Sequence, residues 1–267
     1  MAFPDVVPRH MHTNDIPLVV HQLRRSCRSC GLYELCLPAG IDESDLAQLD
    51  MAVRDRRVLA AGDSLFRQDD PFTSLYVVRS GSLKTMVADA DGEWQVLGFH
   101  LPGEIVGVDA MAHDRHLCHA EALERTSVCE LPYLQLQQVL TEVPGLQRQL
   151  LRVVSREVAS EQSHLVTMGK QQAQERLAIF LRSLSERFGR LSRDTVTLNL
   201  TMSRYDIASY LGLVVETVSR LFTKMEAAGV LTVSRKHIVI LRPDLLAIMC
   251  GSQGAKTPAT KRENAQA

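Results

Sequence analysis

The chain has 267 residues, enough for about two domains, and its 45% hydrophobic and 23% charged residues are typical of globular proteins. The formal net charge of −1 gives no sign of a nucleic-acid partner, although this value averages an uneven distribution. No apolar run approaches the roughly 18 residues of a membrane span, and the first residues lack the apolar core of a secretion signal. We therefore expect a cytoplasmic protein without membrane contact.

An N-terminal stretch, CRSCGLYELC, contains three of the six cysteines: Cys27, Cys30 and Cys36. A reducing cytosol disfavours structural disulfides, so this C-x2-C-x5-C spacing indicates metal binding or redox chemistry. Three thiols are one ligand short of a tetrahedral zinc site or a four-cysteine iron–sulfur cluster. Residues 1–40 are predicted to be an arm that ends in this ligand segment.

The fourth ligand has to come from another part of the chain. Cys129 is the favoured candidate, because it lies at the end of the last predicted strand of the roll and a strand is a fixed position. Cys118 is less favoured, because it lies in the histidine-rich loop HDRHLCHAE, which has no helical metal-ligand spacing. Cys250 is expected to be a buried thiol.

Residues 41–131 are predicted to form an antiparallel β-roll preceded by one helix. The helix has Asp42 or Ser44 as its N-cap. After it, short alternating strands are separated by glycine turn signals, as in a small barrel or roll. One of these signals, Asp91-Gly92, predicts a tight hairpin with a type I′ turn.

Residues 132–169 are predicted to contain a long helix that pairs with its twin in a homodimer. Six residues after Pro144 are separated by 3, 4, 3, 4 and 3 positions, which is a heptad seam. Two copies of its one carboxylate would face each other and oppose association, so we expect a dimer near its balance point. The alternative is a helix that buries the same stripe within its own domain. The seam residues are Leu151, Val154, Val158, Glu161, Leu165 and Met168.

Residues 170–250 are predicted to be a winged helix-turn-helix domain. Ser203 is a suitable N-cap for the first helix of the motif, and Gly212 supplies the turn. Ala208 permits close packing where the helices cross, and Val218 packs the second helix against the first. The hairpin VLTVSRKHIVIL then follows as the wing.

The second helix of this motif is predicted to contact the bases of double-stranded DNA. Arginine can bind guanine, glutamate can accept a hydrogen bond from cytosine, and serine can contact either. Residues 190 to 242 contain eight Lys or Arg and four Asp or Glu, a local net charge of +4 that suits phosphate binding. The polar tail, residues 251–267, is predicted to be disordered. The predicted DNA-binding residues are Glu216, Thr217, Ser219, Arg220, Arg204 and Lys224.

Four stretches, CRSCGLYELCLP, GFHLPGEIVGVDA, SVCELPY and DIASYLGLVVETVSRLF, together resemble the oxygen-responsive FNR branch of the CRP/FNR transcription regulators. The resemblance extends over nearly the whole chain, and the cysteine spacing is specific to that branch. It implies an α+β fold with an N-terminal antiparallel β-roll of the cyclic-nucleotide-binding type. A long dimerisation helix joins this roll to a C-terminal winged helix-turn-helix domain.

The resemblance also implies a cofactor, a [4Fe–4S] cluster ligated by Cys27, Cys30, Cys36 and Cys129. The extra thiol of Cys118 is the less favoured fourth ligand. With the cluster intact, such a protein is a homodimeric regulator of anaerobic metabolism, and oxygen inactivates it by destroying the cluster.

The implied partners are promoter DNA and RNA polymerase. By the resemblance, Glu216, Ser219 and Arg220 read the half-sites of a palindrome similar to TTGAT–N4–ATCAA. The acidic turn at 89–93 is a candidate contact with RNA polymerase. A cyclic nucleotide is not expected, because Val108, Asp109 and Ala110 follow Gly107 and the next arginine, Arg115, is flanked by Asp114 and His116 instead of the hydroxyl of a phosphate-binding cassette.

Two alternatives remain open from the cysteine pattern. A regulator of the same fold could use its cysteines for zinc or as a thiol redox switch. A C-x-x-C redox enzyme is less favoured, because it needs a thioredoxin-like βαβ unit and no strand precedes Cys27. We therefore predict that the chain is not an enzyme.

Overall fold

The computed structural model describes Cys27, residues 30–88 and residues 91–251. The predicted N-terminal arm before Cys27 and the predicted disorder of the tail from residue 252 onward lie outside the described residues. Among the described residues, no helix combines the length and the apolar character that crossing a membrane requires.

The described part of the chain contains helices and strands in an α+β arrangement. The helices are α1 (Glu43–Ala52), α2 (Tyr133–Glu142), α3 (Pro144–Lys170), α4 (Ala173–Ser192), α5 (Arg204–Leu211), α6 (Val215–Ala227) and α7 (Pro243–Met249). The strands are β1 (Arg54–Leu59), β2 (Ser64–Phe66), β3 (Ser74–Ser80), β4 (Leu83–Ala88), β5 (Trp94–His100), β6 (Ile105–Val106), β7 (His119–Ala122), β8 (Thr126–Pro132), β9 (Thr197–Asn199), β10 (Leu231–Ser234) and β11 (His237–Ile240).

The predicted antiparallel roll is confirmed and consists of β1 to β8. One sheet has the strand order β1-β8-β3-β6 and the other has the order β2-β7-β4-β5, with every pairing antiparallel. Apolar side chains from both sheets form a core inside the roll, as the alternation of buried residues requires. The helix before the roll is also confirmed, with Asp42 at its N-cap position and Ser44 inside the helix.

The tight turn predicted at Asp91-Gly92 is wrong, although the hairpin itself is present. Ala88 pairs with Trp94, so five residues connect β4 to β5 instead of two. The register is set further along the strands, where the buried side chains of Met86 and Val96 are paired beside a β-bulge. The hydrophobic core therefore decides this connection, against the local dipeptide preference.

The region after the roll forms two helices instead of one. Val143 ends α2, and Pro144 occupies the first turn of α3, where its missing N–H has no intrahelical partner to lose. The long predicted helix is therefore α3. Apolar residues of this region, the cysteine segment, α1 and the roll meet in one core, which we call the shared core. It consists of Leu37, Ile41, Leu46, Leu49, Leu75, Val77, Ile105, Leu131, Leu136, Val143, Leu146 and Leu150.

The predicted winged helix-turn-helix is confirmed in the C-terminal part, which we call the reading domain (α4 to α7 with β9 to β11). Helices α5 and α6 form the motif, and β10 and β11 form the wing. Strand β9 and helix α7, which the sequence patterns did not indicate, complete the sheet and the helical layer. The core of the reading domain continues into the roll through Val96, Phe99 and Leu101.

A glycine at the link between the two sheets of the roll generates a stability prediction. Gly81 has φ +79°, and an added Cβ would lie 2.5 Å from Thr126 Oγ1 and 2.6 Å from the Arg125 carbonyl oxygen. Gly92 has a similar φ of +83° but no atom within 4 Å of an added Cβ. Gly81→Ala is therefore expected to lower the free energy of unfolding by about 3 kcal/mol, and Gly92→Ala by about 1 kcal/mol. Urea denaturation measures both, and equal losses would contradict the close packing at Gly81.

Candidate metal centre and nucleic-acid interface

The cysteine segment is a series of turns held against α1. The Cys30 N–H donates to the Cys27 carbonyl oxygen at 3.1 Å, and the Cys36 N–H donates to the Leu32 carbonyl oxygen at 3.0 Å. The backbone N–H of Cys27 donates to the Asp50 carboxylate at 2.6 Å. Asp50, which the sequence reasoning missed, therefore attaches the start of the segment to α1.

Three of the thiols face the same apolar surroundings. Cys27, Cys36 and Cys129 all pack against the shared core and are partly buried. Cys129 lies in the middle of β8, not at its end, and pairs with Val77 of β3. Cys129 is more than ninety residues from Cys36 in the sequence. Strand β8, which is paired with β1 and β3, holds it against the same core as Cys27 and Cys36.

The pKa values of these thiols show that they influence one another. Burial raises the pKa of Cys36 to about 12. A hydrogen bond from the Leu37 backbone lowers this pKa, and the Cys129 and Cys30 thiols raise it. Burial is also the largest cause of the raised pKa of Cys27. The neighbouring Asp50, Cys36 and Cys129 raise this pKa further, Asp50 the most. The raised pKa values favour the protonated forms of Cys27 and Cys36, so binding a metal there would release protons.

The other two cysteines lie elsewhere. Cys118 is buried in the core of the roll, where its Sγ donates to the Asp109 carboxylate at 3.6 Å. Burial, and then Asp109, raise the pKa of Cys118, whereas Cys250 is buried beside α7 and donates to the Leu246 carbonyl oxygen. No disulfide links any of the six cysteines, all of which are among the described residues.

Cysteine thiolates are ligands of single zinc ions and of iron–sulfur clusters alike. Within residues 30–88 and 91–251 and at Cys27, no three His, Cys, Asp or Glu side chains converge on a point that one metal ion could occupy. In a four-iron cluster each cysteine binds a different iron, so the thiolates surround a cage instead of a point. Four neighbouring thiols in apolar surroundings have the chemistry of such a site, and the choice of Cys129 over Cys118 as a ligand stays a prediction.

The interior of the roll is filled by its own side chains. The rings of Phe66 and His116 stack with their centroids 3.6 Å apart, beside the 3-10 helix Val108–Ala112. In this helix the Asp109 carboxylate accepts hydrogen bonds from the Leu117 N–H and the Cys118 thiol.

The first helix of the reading motif begins with a capping box. The Ser203 Oγ accepts a hydrogen bond from the Asp206 N–H at 3.1 Å, and the Asp206 carboxylate accepts one from the Ser203 N–H at 2.8 Å. Gly212 ends α5 with φ +59°, and Ala208 and Val218 are buried where the helices cross. Each residue that predicted the motif thus has the position that the prediction gave it.

The second helix, α6, exposes one polar face. Glu216, Ser219, Arg220 and Lys224 are exposed, and Thr217 is half-buried. Two of the exposed side chains have partners within the chain: the Ser219 hydroxyl donates to the Val215 carbonyl oxygen, and Lys224 Nζ donates to Gln174 at 2.8 Å.

Arg204 differs from the other predicted DNA-binding residues. Its guanidinium lies 3.6 Å from the centroid of the Phe222 ring, between α5 and α6, where burial lowers its pKa. This contact gives Arg204 a part in holding the two helices together, besides any contact with phosphate.

The predicted seam runs along the outer side of α3. Leu151, Val158 and Leu165 have exposed fractions of 63%, 52% and 69%, which are high for large apolar residues. Val154 and Met168 are half-buried, and Glu161 is exposed between them, with its pKa raised by desolvation. The described chain therefore carries an apolar stripe with a carboxylate in its middle.

The contacts between the roll and the reading domain were missed by the sequence analysis. Lys84 of β4 binds Asp206 of α5, and Arg187 of α4 binds Glu104 beside β6. These partners are 122 and 83 residues apart, so no local pattern could indicate them.

Comparisons with known proteins agree with this architecture. A family model described as a cyclic nucleotide-binding domain matches residues 56–142, and one described as a Crp-like helix-turn-helix domain matches residues 175–249. The chain is 44% identical to the transcriptional activator protein Anr of Pseudomonas protegens over 84% of this chain and 92% of that protein. It is 38% identical to the fumarate and nitrate reduction regulatory protein of Escherichia coli over 84% and 90%. The solved structure of FixK2 from Bradyrhizobium japonicum aligns with a TM-score of 0.68 at 28% identity, covering 73% of this chain and 96% of FixK2.

The capping box generates a prediction for the reading domain. Ser203→Ala removes the side chain that satisfies an N–H in the first turn of α5, so we expect the free energy of unfolding to fall by about 1 kcal/mol. Ser219→Ala, on the exposed face of α6, is the matched control and should change stability by less than about 0.5 kcal/mol. Denaturation followed by circular dichroism measures both variants. A loss at Ser203 no larger than at Ser219 would show that the cap does not stabilise the motif.

Proposed function

Because the chain belongs to the FNR branch of the CRP/FNR family of transcription regulators, we propose that it is an oxygen-sensing regulator of anaerobic metabolism. In this proposal a [4Fe–4S] cluster favours the homodimer, and the dimer binds a palindrome similar to TTGAT–N4–ATCAA. The named relatives are transcription regulators and not enzymes. A regulator that binds promoter DNA would act in the cytoplasm.

Cys27, Cys30, Cys36 and Cys129 would hold the cluster, and the cluster would supply iron–sulfur chemistry that oxygen destroys. The mutual effects on thiol pKa values and the common packing surface of Cys27, Cys36 and Cys129 support this set. The distance of Cys118 from them, in a different core, disfavours it as a ligand.

The observation that carries the proposal is that the ligand segment and the dimer helix share a core. Leu37, which directly follows Cys36, and Ile41, five residues after Cys36, are buried in the same cluster as Leu146 and Leu150 of α3. Because protein interiors are close-packed, a shift of the segment requires a shift of the first turns of α3. A change at the four thiols would therefore be transmitted to the seam residues of α3 through the packing of the shared core alone.

Glu161 would keep the dimer sensitive to that shift. Its carboxylate lies between Val158 and Leu165 on the exposed stripe of α3, and desolvation already raises its pKa in the single chain. Pairing two chains would bring two carboxylates together and desolvate them further. When the segment loosens, this repulsion would favour separation.

The dimer would present two copies of α6 to successive half-sites of the palindrome. Glu216, Ser219 and Arg220 would read the bases, because they are exposed on the N-terminal half of α6. Losing one subunit removes about half of the base and phosphate contacts, so affinity would fall by orders of magnitude. RNA polymerase would be a further partner, with the acidic turn between β4 and β5 as a candidate contact.

A cyclic nucleotide is not part of the proposed mechanism. The Phe66–His116 stack is buried in the roll, and the Asp109 carboxylate near it would repel a phosphate. Arg115 is also engaged, donating to the Asp69 carbonyl oxygen at 2.7 Å.

The cluster proposal is tested by its iron content. Protein purified without oxygen should contain about four iron and four sulfide per chain and absorb visible light. Cys129→Ser should lose most of both, whereas Cys118→Ser, the matched control, should keep them. Zinc in place of iron would favour the zinc-binding alternative, and a Cys118→Ser variant without iron would contradict the ligand set.

The dimer proposal is tested by Glu161→Ala. Removing two facing carboxylates should tighten the dimer by about tenfold or more, so the variant should stay dimeric in air. Light scattering coupled to size exclusion measures this. Glu142→Ala, which removes an exposed carboxylate from the end of α2, should be monomeric in air like the wild type. A Glu161→Ala variant that dissociates in air would count against the seam.

A further inference from the structure

The reading domain is docked on an open sheet edge of the roll. Among the described strands, β5 is the outermost of its sheet, so one row of its backbone groups has no partner strand in that part of the chain. Helix α5 covers this edge. The Ser209 Oγ accepts a hydrogen bond from the Val96 N–H at 2.8 Å and donates to the Trp94 carbonyl oxygen at 3.0 Å. One hydroxyl thus satisfies both a donor and an acceptor of the strand.

Ion pairs and a second hydroxyl contact surround this edge. Lys84 Nζ lies 2.9 Å from Asp206 and 3.1 Å from Glu121, and all three side chains are largely buried. Because Asp206 also closes the capping box, Lys84 holds the start of α5 directly. Ser82 of the roll bonds Thr201 of the reading domain at 2.7 Å. We call the contacts of Ser82, Lys84 and β5 with the reading domain the docking surface.

Aromatic rings connect the same helix to α3. The Tyr210 ring of α5 lies 5.3 Å from Phe99 of the roll, 5.6 Å from Phe180 of α4 and 4.2 Å from His164 of α3. Near it, Arg176 donates to the carbonyl oxygens of Met168, at the end of α3, and Leu211, at the end of α5. The roll, the dimer helix and the reading domain therefore meet at α5.

Docking leaves the reading face accessible. The contacts of the docking surface are made by α4, α5 and Thr201 just before α5, whereas Glu216, Ser219 and Arg220 of α6 stay exposed. The surface is therefore suited to holding α6 in one orientation, and not to hiding it from DNA.

We propose that the docking surface makes Lys84 and Ser209 positioning residues that set the half-site spacing this protein accepts. The inference rests on the proposed binding of a dimer to a palindrome. A palindrome fixes the separation and the rotation of two recognition helices, at about 34 Å for one turn of DNA. The α3 seam would relate the two dimer helices, and the His164–Tyr210 stack and the Arg176 hydrogen bonds join the end of each to α5. The docking surface would also fix the orientation of α6 relative to the roll. The two α6 helices of the dimer would then move together as one rigid body.

The consequence is a narrow tolerance for spacer length. Each base pair added to the spacer moves the second half-site by about 3.4 Å and turns it by about 35°. A docked α6 cannot follow this change, whereas an undocked reading domain on a linker at Gln171 and Gln172 can follow it.

The experiment compares palindromes whose half-sites are separated by three, four, five or six base pairs. Fluorescence anisotropy of full-length protein without oxygen gives the dissociation constants. The wild type should bind the unsuitable spacers about a hundredfold more weakly than its preferred one. In Ser82→Ala/Ser209→Ala, and separately in Lys84→Gln, this ratio should fall to about tenfold or less. Ser192→Ala, an exposed serine of α4 away from the roll, should behave like the wild type.

The outcomes separate this inference from the proposed function. Variants that fold and dimerise but keep the wild-type spacing ratio would overturn the inference, since the seam alone would then set the spacing. A wild type that binds all spacers equally would overturn it too, while leaving DNA binding intact. A wild type that binds no palindrome would instead refute the proposed function. If the serine variant loses its thermal transition, Lys84→Gln decides the question alone.

Discussion

The close packing of the shared core is the constraint on which the rest of the structure depends. Leu37 and Ile41 of the cysteine segment, Leu49 of α1 and Leu146 and Leu150 of α3 are buried in one cluster. Together these side chains fill the shared core. A cavity the size of a methyl group there would lower the free energy of unfolding by about 1 kcal/mol. In the proposed mechanism, these contacts would convert a change at the cysteine segment into a displacement of α3.

The docking surface continues this chain of contacts from the roll to the DNA-reading helix. Its polar groups are costly to separate, because Lys84 would leave two largely buried carboxylates without their cation. The hydroxyl of Ser209 is similarly hard to replace at the edge of β5, where a buried N–H and a carbonyl need a partner. The proposed dimer of such units would be preorganised, so it would lose less conformational freedom on binding.

Sequence patterns predicted those parts of the fold that depend on local chemistry. Ser203, Gly212 and Val218 indicated the reading motif, because capping, left-handed turns and helix crossing each need particular residue types at fixed offsets. The type I′ turn at Asp91-Gly92 failed, since the strand register is set by distant packing. The pairing of Lys84 with Asp206 was beyond prediction for the same reason. Cysteine spacing indicated a metal site, but only the topology shows that Cys129 and the N-terminal thiols border one core while Cys118 borders another.

Arg176 has a consequence for how the molecule comes apart on heating. Its guanidinium donates to carbonyl groups of Met168, Gln171 and Leu211, which close α3, the linker and α5. A lysine could not replace it, since a single ammonium lacks the planar fork that reaches several acceptors. If either helix end separated from Arg176, carbonyl oxygens at the other end would lose a donor, so we expect the two ends to unfold together on heating.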